Sequence, residues 1–364
     1  MKQILTGLLV GVLAAVPAWA QAEMPREGSM PAPESCLGVF GHPRGLWETG
    51  KTLSDLGVTA VFVGSRELDA ETVERAHKEG AKVYAELGIF VGKKKAEQRP
   101  ELWPVGRDGR RLAPIDWYLG LCPTNPQLRR ENLEAVGEVA RRAPIDGVWL
   151  DFIRWPCHWE VLKPRLDDAC FCPACLADFQ EQTGVTLPEG DTGERAEFVL
   201  AEHLATWSSW KCGSITRFCA EAREVLQRER PGALLGIFSV PWNEENYDGA
   251  IRRVIGQDFA ALAEHVDVFS PMAYHKMCGW PVEWIHEHVA YLDRVTGGRT
   301  VWPIVQAVDH PEEMSAEELG RTITVGLKTP SDGVIIFTLK ELLEKPVKFE
   351  CTRRAFHSVS PAGQ

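Results

Sequence analysis

The chain has little of what marks a nucleic-acid or membrane protein. Basic residues are outnumbered: 40 Lys and Arg stand against 51 Asp and Glu in 364 residues, a formal charge of -11. That balance argues against nucleic acid as the main partner, because neutralising a phosphate backbone takes clustered Lys and Arg. The one basic run, GKKKAEQR at 92–99, reads as a solvated loop. Past the N-terminus no apolar run is long enough to span a bilayer. No G-x-G-x-x-G follows the first apolar run, where GVFGHPRG stands instead, which disfavours a dinucleotide-binding open sheet. Histidines are also sparse where a metal-dependent hydrolase needs ligands: His275, with His42 and His310, is all that is available.

What is present begins with a targeting segment. Met1-Lys2, the apolar ILTGLLVGVLAAV and the small-x-small AWA at 18–20 read as a signal peptide over 1–20. Residue 21 is Gln rather than Cys, so a lipidated N-terminus is not indicated. The expected product is an exported protein, periplasmic or extracellular, with a Pro-containing flexible leader at 21–34.

Eight short apolar runs then recur: CLGVFG (36–41), VTAVFVG (58–64), KVYAELG (82–88), DGVWLD (146–151), LLGIFSV (234–240), VDVFSPMAY (266–274), TVWPIVQA (300–307) and DGVIIFTL (332–339). Stretches with apolar residues at i, i+3 and i+4 sit between them, at 67–80, 126–143, 198–229, 247–265 and 316–327. Eight strands alternating with helices predict one α/β domain, a single (β/α)8 TIM barrel over 35–350, followed by a C-terminal tail at 351–364. The connections at 89–125 and 152–197 are unusually long. Both follow strand C-termini, the face where barrels build their sites.

The fourth run, DGVWLDFIRWP, carries the sharpest chemical signal. Strand alternation puts Gly147, Trp149 and Asp151 on one side, aiming Asp151 into the barrel mouth. Arg154 is the expected charge partner that favours its ionised form, although a purely structural Asp–Arg pair has the same appearance in sequence. Glycoside hydrolysis needs two carboxyls, one ionised and one protonated. Asp151 suits the ionised role; Glu86, at the end of the third strand, is the first candidate for the acid, and Glu244 or Glu245 the alternative. The 13 Trp residues, seven of them at or after strand ends, suggest flat walls for the C–H face of a sugar. Arg154, Trp155, Trp242, Tyr274, His275, Trp302 and Gln306 are the candidate substrate contacts, though several Trp must simply fill the core.

Three of the 10 Cys fall in CFCPAC, as Cys170, Cys172 and Cys175. With a fourth ligand this spacing can hold a structural Zn²⁺; Cys157 is the nearest candidate, then Cys122 or His158. Disulfides and free thiols are the competing readings in an exported chain. No cofactor is expected for catalysis.

LCPTNPQLRRENL, DGVWLDFIRWP, LGIFSVPWN and VDVFSPMAYHKM together resemble the motifs of bacterial glycoside hydrolases of the family-10-like TIM-barrel type, over roughly residues 35–340. The resemblance implies a barrel acting on a polysaccharide or glycan strand, with Asp151 at the position that matches best. Many relatives carry a second acid directly after that Asp. Here Phe152 stands in its place, which leaves the acid/base partner open and keeps a catalytically silent glycan-binding barrel as the alternative. The sixth run is similar to that of chitinase-type barrels, where a Tyr contacts substrate, but their D-x-x-D-x-D-x-E is absent, so an N-acetyl-assisted mechanism is not supported. A comparable Cys cluster with zinc occurs in some barrel-type β-galactosidases.

Overall fold

The computed structural model describes residues 35–359; the signal-peptide and leader segments lie outside them. Nine parallel strands form the core: β1 (Cys36–Phe40), β2 (Ala60–Gly64), β3 (Lys82–Gly88), β4 (Gly147–Asp151), β5 (Leu234–Ser239), β6 (Val268–Ala273), β7 (Thr300–Val301), β8 (Ile304–Gln306) and β9 (Gly333–Phe337). β7 and β8 are one barrel strand in two pieces, interrupted at Trp302-Pro303, where Pro303 has no N–H to give a ladder. β1 pairs with both β2 and β9, and β5 with β6, so the sheet closes on itself. The expected (β/α)8 barrel is the fold.

Alternation fills the interior with rings. Trp149 meets Phe62, Tyr84 and Trp302, and its Nε1 donates to Ser270 Oγ at 3.0 Å. A Cβ at Gly236 on the neighbouring strand would come within 2.1 Å of the Trp149 indole, so only glycine fits there. Asp151 follows Trp149 by two residues on the same strand. It therefore rises from the layer directly above this aromatic plug.

The helical expectations held best where caps reinforce the period. Pro126–Arg142 starts on Asn125, whose side chain accepts from Leu128 N, with Pro126 in the first turn. The 198–229 stretch is two helices, Thr192–Glu202 and Leu204–Glu229, broken at His203. The 247–265 stretch is not one helix either. A π-helical turn, Ile251–Ile255, stops at Gly256 with φ 74°, and a short helix, Phe259–Leu262, follows. Lys211 Nζ, buried, donates to the freed carbonyls of Arg253 and Val254. The boundary at 350/351 also needs correction. Residues Pro346–Val359 form a helix with Lys348, Thr352 and Phe356 buried, so the segment is part of the barrel's outer layer rather than a tail.

The two long loops after β3 and β4 interlock. Val105 N donates to Cys170 Sγ, Phe171 N to Val105 O, and Gly106 bridges Ala169. Among the described residues no helix is long and apolar enough to cross a membrane.

Candidate active site

The chain turns abruptly after Asp151. Phe152 adopts φ 50°, an uncommon conformation for an aromatic residue, and its N–H donates to Asp151 Oδ1 at 2.6 Å. Asp151 is largely buried at the end of β4, with 16 % of its side chain exposed. Arg154 is 3 % exposed, with Nη1 4.0 Å from Asp151 Oδ1, too far for a hydrogen bond. Its guanidinium lies over the Phe152 ring at 4.6 Å and near Tyr118 at 6.0 Å, and neither Nε nor Nη1 has a hydrogen-bond partner.

Glu86 joins Asp151 at the mouth. It lies on β3, two residues below Gly88, which is the register partner of Asp151. Its carboxyl oxygens lie beside Gly64 and Gly88, 3.7 and 3.8 Å from where a Cβ would stand on each. Burial, and after it the Asp151 charge, pushes the Glu86 carboxyl up to about 8. Burial also raises Asp151, to about 6; the Arg154 charge and the Phe152 N–H oppose this. Arg154 does favour the ionised form of Asp151, as expected, but with no hydrogen bond between them desolvation outweighs it.

A third carboxyl, Glu160, escaped the sequence reading. It belongs to the loop after β4, and burial lifts it to about 7, with Arg154 lowering and Asp151 raising it. Its signal was its place: the first acid after the DFIRWP motif, in a loop whose length already marked function. Tyr274 is buried beside both carboxyls, and its hydroxyl is pushed up by burial and then by the charges of Glu160 and Asp151. Its ring packs against Trp159 and Phe337. Tyr118 is the other residue missed; its hydroxyl accepts from Cys157 N at 2.9 Å, and its ring stacks on Phe152.

Other expected contacts lie elsewhere. Trp155 is fully buried against Trp210, its Nε1 donating to Lys211 O; the left-handed Phe152 turns the chain away, so counting by twos fails beyond Asp151. Trp302 belongs to the aromatic plug, parallel to Trp149 at 5.6 Å. Trp242 is buried against Trp159 and Tyr247. His275 is held by Glu318 through Nε2 at 3.2 Å. Gln306 is fully buried, accepting from Met277 N and donating to the Val308 and His310 carbonyls. Glu244 is exposed and acts electrostatically on Arg252 and Tyr291, not on Asp151.

The cysteine cluster is real, with a different fourth member. Sγ atoms of Cys122, Cys170, Cys172 and Cys175 all lie within 4.8 Å of one another and are buried. Cys157 is apart, with Sγ against Arg165 O, and replaces nothing in the set. Sulfur separations of 3.7 and 3.4 Å from Cys122 to Cys172 and Cys175 match the roughly 3.8 Å edge of a tetrahedron of 2.3 Å Zn–S bonds. Val105 N–H donates to Cys170 Sγ, as a donor to a thiolate does, and the Thr124 hydroxyl lies 3.1 Å from Cys175 Sγ. The four residues fit a closed structural metal site with no open position for catalysis.

No protein-family model and no curated protein sequence matches the chain. Solved structures do. The glycoside hydrolase domain of PgaB (BpsB) from Bordetella bronchiseptica is 17% identical, with a TM-score of 0.67 over 89% of this chain and 99% of that one. The cold-adapted β-galactosidase from Rahnella sp. R3 is 12% identical, with a TM-score of 0.63 over 91% of this chain and 57% of that one. The β-galactosidase from the haloarchaeon Halorubrum lacusprofundi is 12% identical, with a TM-score of 0.65 over 90% of this chain and 58% of that one. The chain therefore shares the TIM-barrel fold of glycoside hydrolases.

Proposed function

We propose that the protein is an exported glycoside hydrolase, periplasmic or extracellular, that cleaves glycosidic bonds in a polysaccharide or glycan strand. The observation that carries this reading is the mouth itself: two carboxyls from adjacent strands, with their proton affinities pushed apart. Between about pH 6 and 8, Asp151 is ionised while Glu86 keeps its proton. That is the division of labour glycosidic cleavage requires.

In this scheme Glu86 gives its proton to the departing glycosidic oxygen. Asp151 faces the positive charge that builds at the anomeric carbon, acting as nucleophile or as base toward water. Arg154 is held rigid between rings with free donors, suited to a hydroxyl or carbonyl oxygen of the sugar. Tyr274 adds a polar edge beside Asp151 and Glu160. A structural Zn²⁺ on Cys122, Cys170, Cys172 and Cys175 would pin the two long loops over this mouth without touching the chemistry.

The test is hydrolysis of a panel of defined glycans by the wild type and by Asp151→Asn. Cleavage that collapses in Asp151→Asn while binding persists supports the scheme. Binding without cleavage by the wild type identifies a silent glycan-binding barrel instead, the reading that Phe152 in place of a second acid keeps in view.

A further inference from the structure

Of the described tryptophans, Trp117 alone is exposed, at 63 %. The other described Trp are buried or half-buried, so the fold has places for indoles and leaves this one outside. It stands at the tip of a tight turn. Ile115 N donates to Tyr118 O, Tyr118 N donates to Ile115 O, and Asp116 takes φ 49°. Two backbone bonds thus fix the position of a ring whose face meets solvent.

The ring is continuous with the proposed active site. Its centroid lies 6.0 Å from that of Phe152, edge to face at 84°, and 5.9 Å from Tyr118. Phe152 in turn lies against the Arg154 guanidinium and directly follows Asp151. From the exposed indole to the carboxylate the path is one ring and one residue.

We infer that the Trp117 indole, braced edge to face by Phe152, forms a sugar-stacking shelf, a subsite for a pyranose unit beyond the scissile bond. The substrate it implies is a chain of sugars lying across the loop after β3, not a single glycoside held at Asp151. A flat ring with an apolar face and a polar edge matches the C–H face of a pyranose. The turn prepays the ordering that such a contact would otherwise cost. This inference rests on the glycosidase reading.

The experiment compares Trp117→Ala and Trp117→Phe with wild type on two probe sets. One is p-nitrophenyl monosaccharides; the other is gluco-, xylo-, galacto- and N-acetylglucosamine-based hexasaccharides. Trp117→Ala should lower kcat/KM on the cleaved hexasaccharide roughly fivefold to tenfold, through KM, and leave the p-nitrophenyl glycoside within about twofold. Trp117→Phe should restore most of the loss. Equal loss on both probes, or no loss on the hexasaccharide, overturns the shelf. Calorimetric binding of the same hexasaccharides to Asp151→Asn, with and without Trp117→Ala, separates the two claims. Binding unaffected by Trp117→Ala overturns the shelf and leaves the hydrolase standing. Binding that weakens in Trp117→Ala, in a protein whose wild type cleaves nothing, supports the shelf and removes the hydrolase.

Discussion

The β3–β4 side of the barrel mouth and the β6–β9 side carry similar residue types and treat them in opposite ways. On the far side the carboxylates, Gln306 and the two lysines that face them are tied to fixed partners, although His275 Nδ1 and Trp302 Nε1 are left bare. Gln306 bonds three backbone groups, and His275 and Lys276 share Glu318. Asp309 is held well below the usual carboxylate range by Lys348, which also reaches Ala307 O and Glu341. On the near side Glu86, Asp151 and Glu160 are pushed up by burial, and Arg154 has bare donors. A polar group already satisfied within the fold builds structure; one desolvated and left short of partners is available for a substrate.

The largest test of this contrast is on the near side. Asp151→Asn should lower kcat by about a thousandfold or more, and Glu86→Gln by roughly a hundredfold to ten-thousandfold, measured on whichever glycan the wild type cleaves. Neither should cost stability. The loop clamp comes next: Cys122→Ser should abolish bound zinc, read by metal analysis of the purified protein, and lower Tm markedly. Cys157→Ser should keep the metal, since its sulfur lies outside the cluster.

Proton linkage gives a graded test. The kcat/KM profile should fall below about pH 6 as Asp151 takes a proton, and above about pH 8 as Glu86 loses one. Glu86 also acts on stability. Its folded value lies above the unfolded 4.5, so its contribution is fully present below that pH and is lost as pH rises through about 8. Melting temperature should therefore drop across this window in wild type and drop less in Glu86→Gln. The smallest effect belongs to the far side. Gln306→Ala should cost about 1–3 kcal/mol of stability, through unsatisfied backbone groups, and change kcat little. A large loss of kcat at normal stability would erase the contrast.

The barrel was legible because each strand is a short run of β-branched and aromatic residues, bounded by turn residues and helical periods. Asp151 was legible for the same reason: period two holds along β4 up to its last residue. Past that point the sequence carries no periodicity, and inference by neighbourhood failed in two ways. Trp155 is near Asp151 in the chain yet points to the helix Leu204–Glu229, because Phe152 reverses the backbone. Cys157 is near CFCPAC in the chain, yet the fourth thiol is Cys122, brought across by loop-to-loop bridges. Glu160 and Tyr118 meet Asp151 and Phe152 through the folding of the long loops, which strand and helix periods do not encode.

The pairing of β1 with β9 has a consequence for how the molecule is made. Cys36 lies beside Gly333, so the first strand off the ribosome waits for nearly the last before its free edge is covered. Until then a nascent chain presents an open, hydrophobic ladder, the kind of surface that holding chaperones shield. A chain cut short before residue 333 would leave translation unable to close its ring.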